Sequence, residues 1–126
     1  MNIDKKKILI VDDDEKNLKL MRILIQNAGY ETIEAENGEE AVRLAKEHIP
    51  ALILMDKRMP VMDGITATKI LKAEPTTARI PIIATTASAM KGDRERIILE
   101  SGCDDYVPKP INAKSFMNLV KKYLEE

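Results

Sequence analysis

Four clusters of residues in this chain could do chemistry together. Asp12-Asp13-Asp14 closes a short apolar run, Ile8 to Val11. Asp56 closes a longer one, Ala51-Leu52-Ile53-Leu54-Met55. Thr85-Thr86 closes a third that starts at Ile80, and Lys109 follows a fourth segment, Asp104 to Val107. If these runs are buried parallel strands, their ends share one rim of the sheet, where open α/β folds bind ligands. Three carboxylates gathered there repel one another unless a cation is present. Oxygen-only ligands favour a hard ion, most simply Mg²⁺ with waters retained. Lys109 adds a second positive charge, and Thr85 or Thr86 adds a hydroxyl. An acidic pocket with a metal, an ammonium and a hydroxyl suits a phosphoryl group. There is no Gly-rich phosphate loop, so a nucleotide is not the obvious donor. A carboxylate can itself be the nucleophile and form an aspartyl-phosphate. Asp56 is the candidate, because it alone ends the most apolar run.

The elements that must position these residues follow from the patterning. Ala51 to Asp56, bounded by Pro50 and Pro60, predicts a strand buried on both faces. Ile8 to Val11, Ile80 to Thr85 and Asp104 to Val107 predict three more, and the alternating Glu31 to Glu36 a half-exposed edge strand. Helices are expected over Glu15 to Ala28, Glu39 to His48, Gly64 to Ala73 and Gly92 to Ser101, with a last one after Asn112. Asp14 and Asn112 are placed as helix caps, and Gly29 and Gly102 as stops. Five strands alternating with five helices predict a doubly wound α/β fold, a five-stranded parallel sheet in the flavodoxin-like order 2-1-3-4-5. That order makes the first and third strands neighbours and brings Asp12, Asp13 and Asp56 together. The first helix carries more apolar residues than one core stripe needs, so some of them should face outward.

Composition bounds the function. The chain has 126 residues, enough for one domain with a real core. Its net charge of −1 argues against a nucleic-acid binder. Cys103 is the only cysteine, and it is read as a small buried side chain. With no signal-peptide pattern and no apolar run long enough to span a bilayer, a cytoplasmic protein without membrane contact is expected. The lone His48 is read as a surface residue near a helix end.

Four stretches then carry a family resemblance. They are Ile8 to Asp14, Leu54-Met55-Asp56 through Met59-Pro60-Val61-Met62-Asp63-Gly64, Thr85-Thr86-Ala87, and Tyr106-Val107-Pro108-Lys109-Pro110. In this order and spacing the chain resembles the receiver domain of two-component response regulators along nearly its whole length, 1–126. The resemblance implies that Asp56 is the phosphoacceptor. It implies that Asp12, Asp13 and Asp56, with the backbone carbonyl of Arg58, hold Mg²⁺. Lys109 would contact the phosphoryl group, and Pro110 would be the cis-proline. Thr86, the hydroxyl before Ala87, would be the switch residue coupled to Tyr106. Arg58 and Ser88 stand where the family modulates its dephosphorylation rate. Ala89 to Glu95 with Gly102 to Tyr106 most resembles stand-alone DivK-like receivers and those of hybrid kinases; Met1 and the end of the chain just past the last helix favour a stand-alone protein.

The expected function is a single-domain response regulator. It would take a phosphoryl group from a histidine kinase or histidine phosphotransfer protein and switch its contacts with a downstream protein. It would act as a monomer or weak dimer, with self-catalysed phosphorylation and dephosphorylation as its only enzymatic property. Two alternatives use some of the same residues. A haloacid dehalogenase-type phosphatase would use Asp12, Asp14, a strand-end Thr, a Lys and the pair Asp104-Asp105, but with the Lys out of order and Asp56 unexplained. A phosphorylation-independent adaptor would leave the full set of acids, Thr and Lys without a purpose.

Overall fold

The computed structural model describes residues 6–57, 59, 62–86 and 93–125. The chain runs β1 (Lys7–Val11), α1 (Glu15–Asn27), β2 (Glu31–Ala35), α2 (Gly38–His48), β3 (Leu52–Asp56), α3 (Gly64–Ala73), β4 (Ile82–Thr86), α4 (Asp93–Ser101), β5 (Asp105–Pro108) and α5 (Ala113–Leu124). The strands form one sheet in the order β2-β1-β3-β4-β5, with every pair parallel, as the patterning predicts. β3 is buried along its whole length.

Strand side chains alternate between faces, and the two faces have separate cores. Ile8, Ile10, Leu52, Leu54, Ile83 and Val107 meet Leu18, Met21 and Ile25 of α1 and Phe116, Val120 and Leu124 of α5. Leu9, Val11, Ile53, Met55, Ile82 and Ala84 meet Ala41 and Ala45 of α2, Ala67 and Leu71 of α3, and Cys103. The alanines of α2 and α3 let these helices sit close to the sheet. The apolar excess of α1 is partly outward: Leu20 is 38% and Ile23 45% exposed. Leu99 of α4 is 83% exposed, so that residue adds nothing to the core.

Helix starts are written locally. Asp14, Asn37, Asp63 and Asn112 cap α1, α2, α3 and α5, accepting from the amides of Lys16, Glu40, Thr66 and Ser115. Each such cap contributes about 1 kcal/mol. Gly29, just past α1, takes a left-handed φ of 96°. At the end of α2 the left-handed position is filled by Ile49, at φ 44°.

Strand boundaries shift by one or two residues from the sequence pattern, and the starts of β4 and β5 have local causes. β4 begins at Ile82 rather than Ile80, because the Ile80 amide closes a turn onto the Thr77 carbonyl at 3.1 Å and Pro81 has no N–H to give. β5 runs from Asp105 to Pro108 rather than from Asp104. The Asp104 side chain instead joins a polar tie with Lys72, whose ammonium also reaches the carbonyls of Ala78 and Ile80. No helix among the described residues is long and apolar enough to cross a membrane.

Candidate functional site

The site forms where the connections from β1 and β3 leave in opposite directions, at the carboxyl end of the sheet. β1 pairs with β3 from Ile8 and Leu52 up to Val11 and Met55, so Asp12 and Asp56 emerge side by side. Asp12 is fully buried and Asp56 nearly so, while Asp13 is exposed. One carboxylate oxygen from each of the three lies within 4.8 Å of the others. Asp14 turns away: its Oδ1 accepts from the Lys16 amide at 2.9 Å, which commits it to the α1 cap.

Lys109 follows β5, and its amide donates to the Thr86 carbonyl at 2.7 Å, prolonging the ladder past the strand. Its ammonium donates to Asp56 Oδ1 at 3.0 Å and faces Asp12 Oδ2 at 3.0 Å. The second approach lacks hydrogen-bond alignment, and Asp12 Oδ2 has no other donor. Asp12 Oδ1 accepts from the Asp14 amide at 2.9 Å. Burial and then the Asp12 charge push Asp56 up to about 6, against the pull of Lys109. Burial disfavours the Lys109 charge, but Asp12 and Asp56 outweigh it and hold the ammonium above the usual lysine value. The pocket therefore has more negative charge than one ammonium satisfies. A buried carboxylate oxygen without an aligned hydrogen-bond donor, beside two more carboxylates, fits a divalent cation with oxygen ligands.

Thr85 and Thr86 are both buried at the end of β4, on opposite faces of the sheet. Thr85 pairs in register with Asp56, and Thr86 lies on the face where Tyr106 packs half-buried against the Ile82 and Ala84 core. The Lys109–Pro110 peptide is cis. Arg58 and Ser88 lie outside the described residues. Asp104 precedes β5 and Asp105 begins it, at the opposite end of the sheet, so the acidic pair that a haloacid dehalogenase arrangement would need is not in the pocket.

Two glycines shape the site in a way the sequence pattern does not announce. A Cβ on Gly64 would overlap the Asp56 carbonyl oxygen, and one on Gly38 would overlap that of Met62. The Gly64 amide donates to the Lys57 carbonyl at 3.0 Å, and the Gly38 amide to the Met62 carbonyl at 2.9 Å. Asp56 and Lys57 are thus held against the start of α3, and Met62 against the start of α2. The Asp63-Gly64 pair reads locally as a turn and cap, and only the packing shows the close approach.

Comparison with known proteins agrees with this fold. A family model described as the response regulator receiver domain matches residues 8–121. The chain belongs to the response regulator receiver domain family. It is 50% identical over 119 residues to the polar-differentiation response regulator DivK of Brucella anthropi, covering 94% of this chain and 96% of that protein. The DivK of Brucella ovis matches to the same extent, 50% over 119 residues. Among solved structures, the receiver domain of a sensor histidine kinase from Pseudomonas aeruginosa has magnesium coordinated in its active site cleft. It superposes with a TM-score of 0.88 at 32% identity, over 98% of this chain and 100% of that one. The receiver domain of the Saccharomyces cerevisiae response regulator Ssk1, co-crystallised with the histidine phosphotransfer protein Ypd1, gives 0.84 at 31% identity, over 98% and 91%.

Proposed function

We propose that this protein is a single-domain response regulator that accepts a phosphoryl group on Asp56 from a phosphohistidine. The observation that carries the reading is the Asp56 carboxylate, nearly buried at a strand end and held by Lys109 at 3.0 Å beside two further acids. An Asp56 oxygen attacks phosphorus; the new O–P bond forms as the P–N bond to the donor imidazole breaks, and the imidazole leaves. Lys109 follows the charge from the carboxylate to the phosphoryl oxygens. Asp12, Asp13 and Asp56, with the main-chain carbonyl of Arg58, would hold Mg²⁺, which neutralises phosphoryl oxygens when bound. The Thr86 hydroxyl then turns to the phosphoryl group, and Tyr106 moves inward on the same sheet face. Arg58 and Ser88, flanking the pocket in sequence, set how readily water removes the group. Self-catalysed gain and loss of phosphate is the only turnover in this reading.

The donor is a histidine kinase or a histidine phosphotransfer protein, docking on the outward Leu20 and Ile23 of α1. The output is a changed contact with a downstream protein, in the cytoplasm, by a monomer or weak dimer, without nucleic acid or membrane. Borohydride reduction after phosphorylation tests the acceptor directly, because an aspartyl-phosphate is reduced to homoserine. Homoserine at position 56 is the expected result; a label at any other residue would overturn the assignment.

A further inference from the structure

The Thr85 hydroxyl has no role in the function described above, yet its residue pairs in register with Asp56. It is wholly buried and has no hydrogen-bond partner. Leaving a buried hydroxyl unpaired costs stability. A valine would fill the same strand position without that cost and with equal β propensity.

Its place relative to Lys109 is fixed by the sheet. β4 lies between β3 and β5, and Thr85 is in register with Asp56 on one side and Val107 on the other. Register partners in a parallel sheet point to the same face, so Thr85 shares the face of Asp56 and Val107. Lys109 starts beyond β5, yet its ammonium stands 3.0 Å from Asp56 Oδ1 on β3. Two strand spacings of about 4.8 Å separate those strands, so the lysine stem must cross the end of β4. Thr85 is the β4 residue on that face at that level. Its side chain therefore stands on the face of β4 that the stem crosses.

An ammonium has three N–H donors. Lys109 now gives one to Asp56 Oδ1 and faces Asp12 Oδ2, the oxygen left without an aligned donor. A divalent cation in the acidic cluster would claim that same Asp12 oxygen. Two cations cannot share it without repulsion, and the displaced ammonium then needs a neutral acceptor within reach.

We propose that Thr85 is a positioning residue for Lys109, its hydroxyl accepting the ammonium when a divalent cation takes Asp12. The inference rests on the phosphoacceptor reading, and it adds a residue that lets metal and lysine occupy the pocket together. Thr86, on the opposite face, keeps its separate part in the switch.

The test is a Mg²⁺ titration by calorimetry of the unchanged protein, Thr85→Val, Thr85→Ser, Lys109→Met and the Thr85→Val/Lys109→Met pair. Thr85→Val should bind Mg²⁺ about 10-fold more weakly, the size of one hydrogen bond to a charged group. Thr85→Ser should bind like the unchanged protein, and Thr85→Val should add no loss in the Lys109→Met background. Without metal, Thr85→Val should melt higher than the unchanged protein, since it removes an unpaired hydroxyl. Equal Mg²⁺ affinity in Thr85→Val, an equal loss without Lys109, a Ser variant that behaves like Val, or a lower metal-free melting temperature would each overturn the inference. No Mg²⁺ binding by the unchanged protein would overturn the phosphoacceptor reading and this inference together.

Discussion

The Lys109 ammonium stands 3.0 Å from Asp56 Oδ1, although β4 separates the strands that carry the two residues. The pair is nearly buried, with side-chain exposures of 17% for Lys109 and 6% for Asp56. Removing one partner of a buried pair leaves an uncompensated charge, at a cost of roughly 3–5 kcal/mol. Lys109→Met should therefore lower the unfolding free energy of the metal-free protein toward that range at pH 7.5. Mg²⁺ should restore part of it, by supplying positive charge to the same carboxylates. Urea titrations with Mg²⁺ and with EDTA check both statements.

The raised Asp56 value, about 6, makes the metal-free fold pH-dependent. In the unfolded chain the group titrates near its ordinary value, so between the two values the folded protein binds the extra proton. The contribution is fully present below the ordinary carboxylate value and is lost as pH rises through about 6. In EDTA, the unchanged protein should lose stability relative to Asp56→Asn as pH rises from 4 to 7. The cause is burial first, then the Asp12 charge, so Mg²⁺ should shrink the difference most at the higher pH. Melting curves of the two proteins at each pH give the comparison.

The outward apolar pair on α1 separates two routes to phosphorylation. Leu20 and Ile23 are 38% and 45% exposed, so changing both to Glu removes little core packing. Phosphotransfer from a phosphohistidine protein should slow at least 10-fold in the double variant, while phosphorylation by acetyl phosphate keeps its rate. Equal slowing with both donors would place the defect in the pocket rather than in docking.

Ile49 closes α2 at φ 44°, a conformation that costs a β-branched residue about 1–2 kcal/mol. It is 49% exposed, so little burial is lost with its side chain. Ile49→Asn should raise stability by about 1 kcal/mol in urea denaturation, because Asn tolerates the left-handed region.

The sheet order was legible because each apolar run is short, ends in a polar residue and alternates with a helical pattern. That order alone brings Asp12 beside Asp56, since β1 and β3 become neighbours. The caps at Asp14 and Asn112 were legible because capping is a contact between residues two or three apart. The start of β4 was not: Ile80 looks like strand, and only the turn onto Thr77 removes its amide from the ladder. Gly64 reads as a turn residue, because nothing near it in sequence reveals that the Asp56 carbonyl lies where its Cβ would be. Thr85 and Thr86 look alike in sequence, and only the family resemblance, through Ala87, favours Thr86 for the switch. Register decides that Thr85 shares the Asp56 face and that Thr86 lies on the other.

The central claim is that Asp56 takes the phosphoryl group with help from a divalent cation. Intact mass after incubation with acetyl phosphate, in Mg²⁺ or in EDTA, tests it most directly when Asp56→Asn is run alongside. The account predicts a gain of one phosphoryl group in the unchanged protein with Mg²⁺, and none in EDTA or in Asp56→Asn. A phosphoryl group gained by Asp56→Asn to the same extent as by the unchanged protein would contradict it.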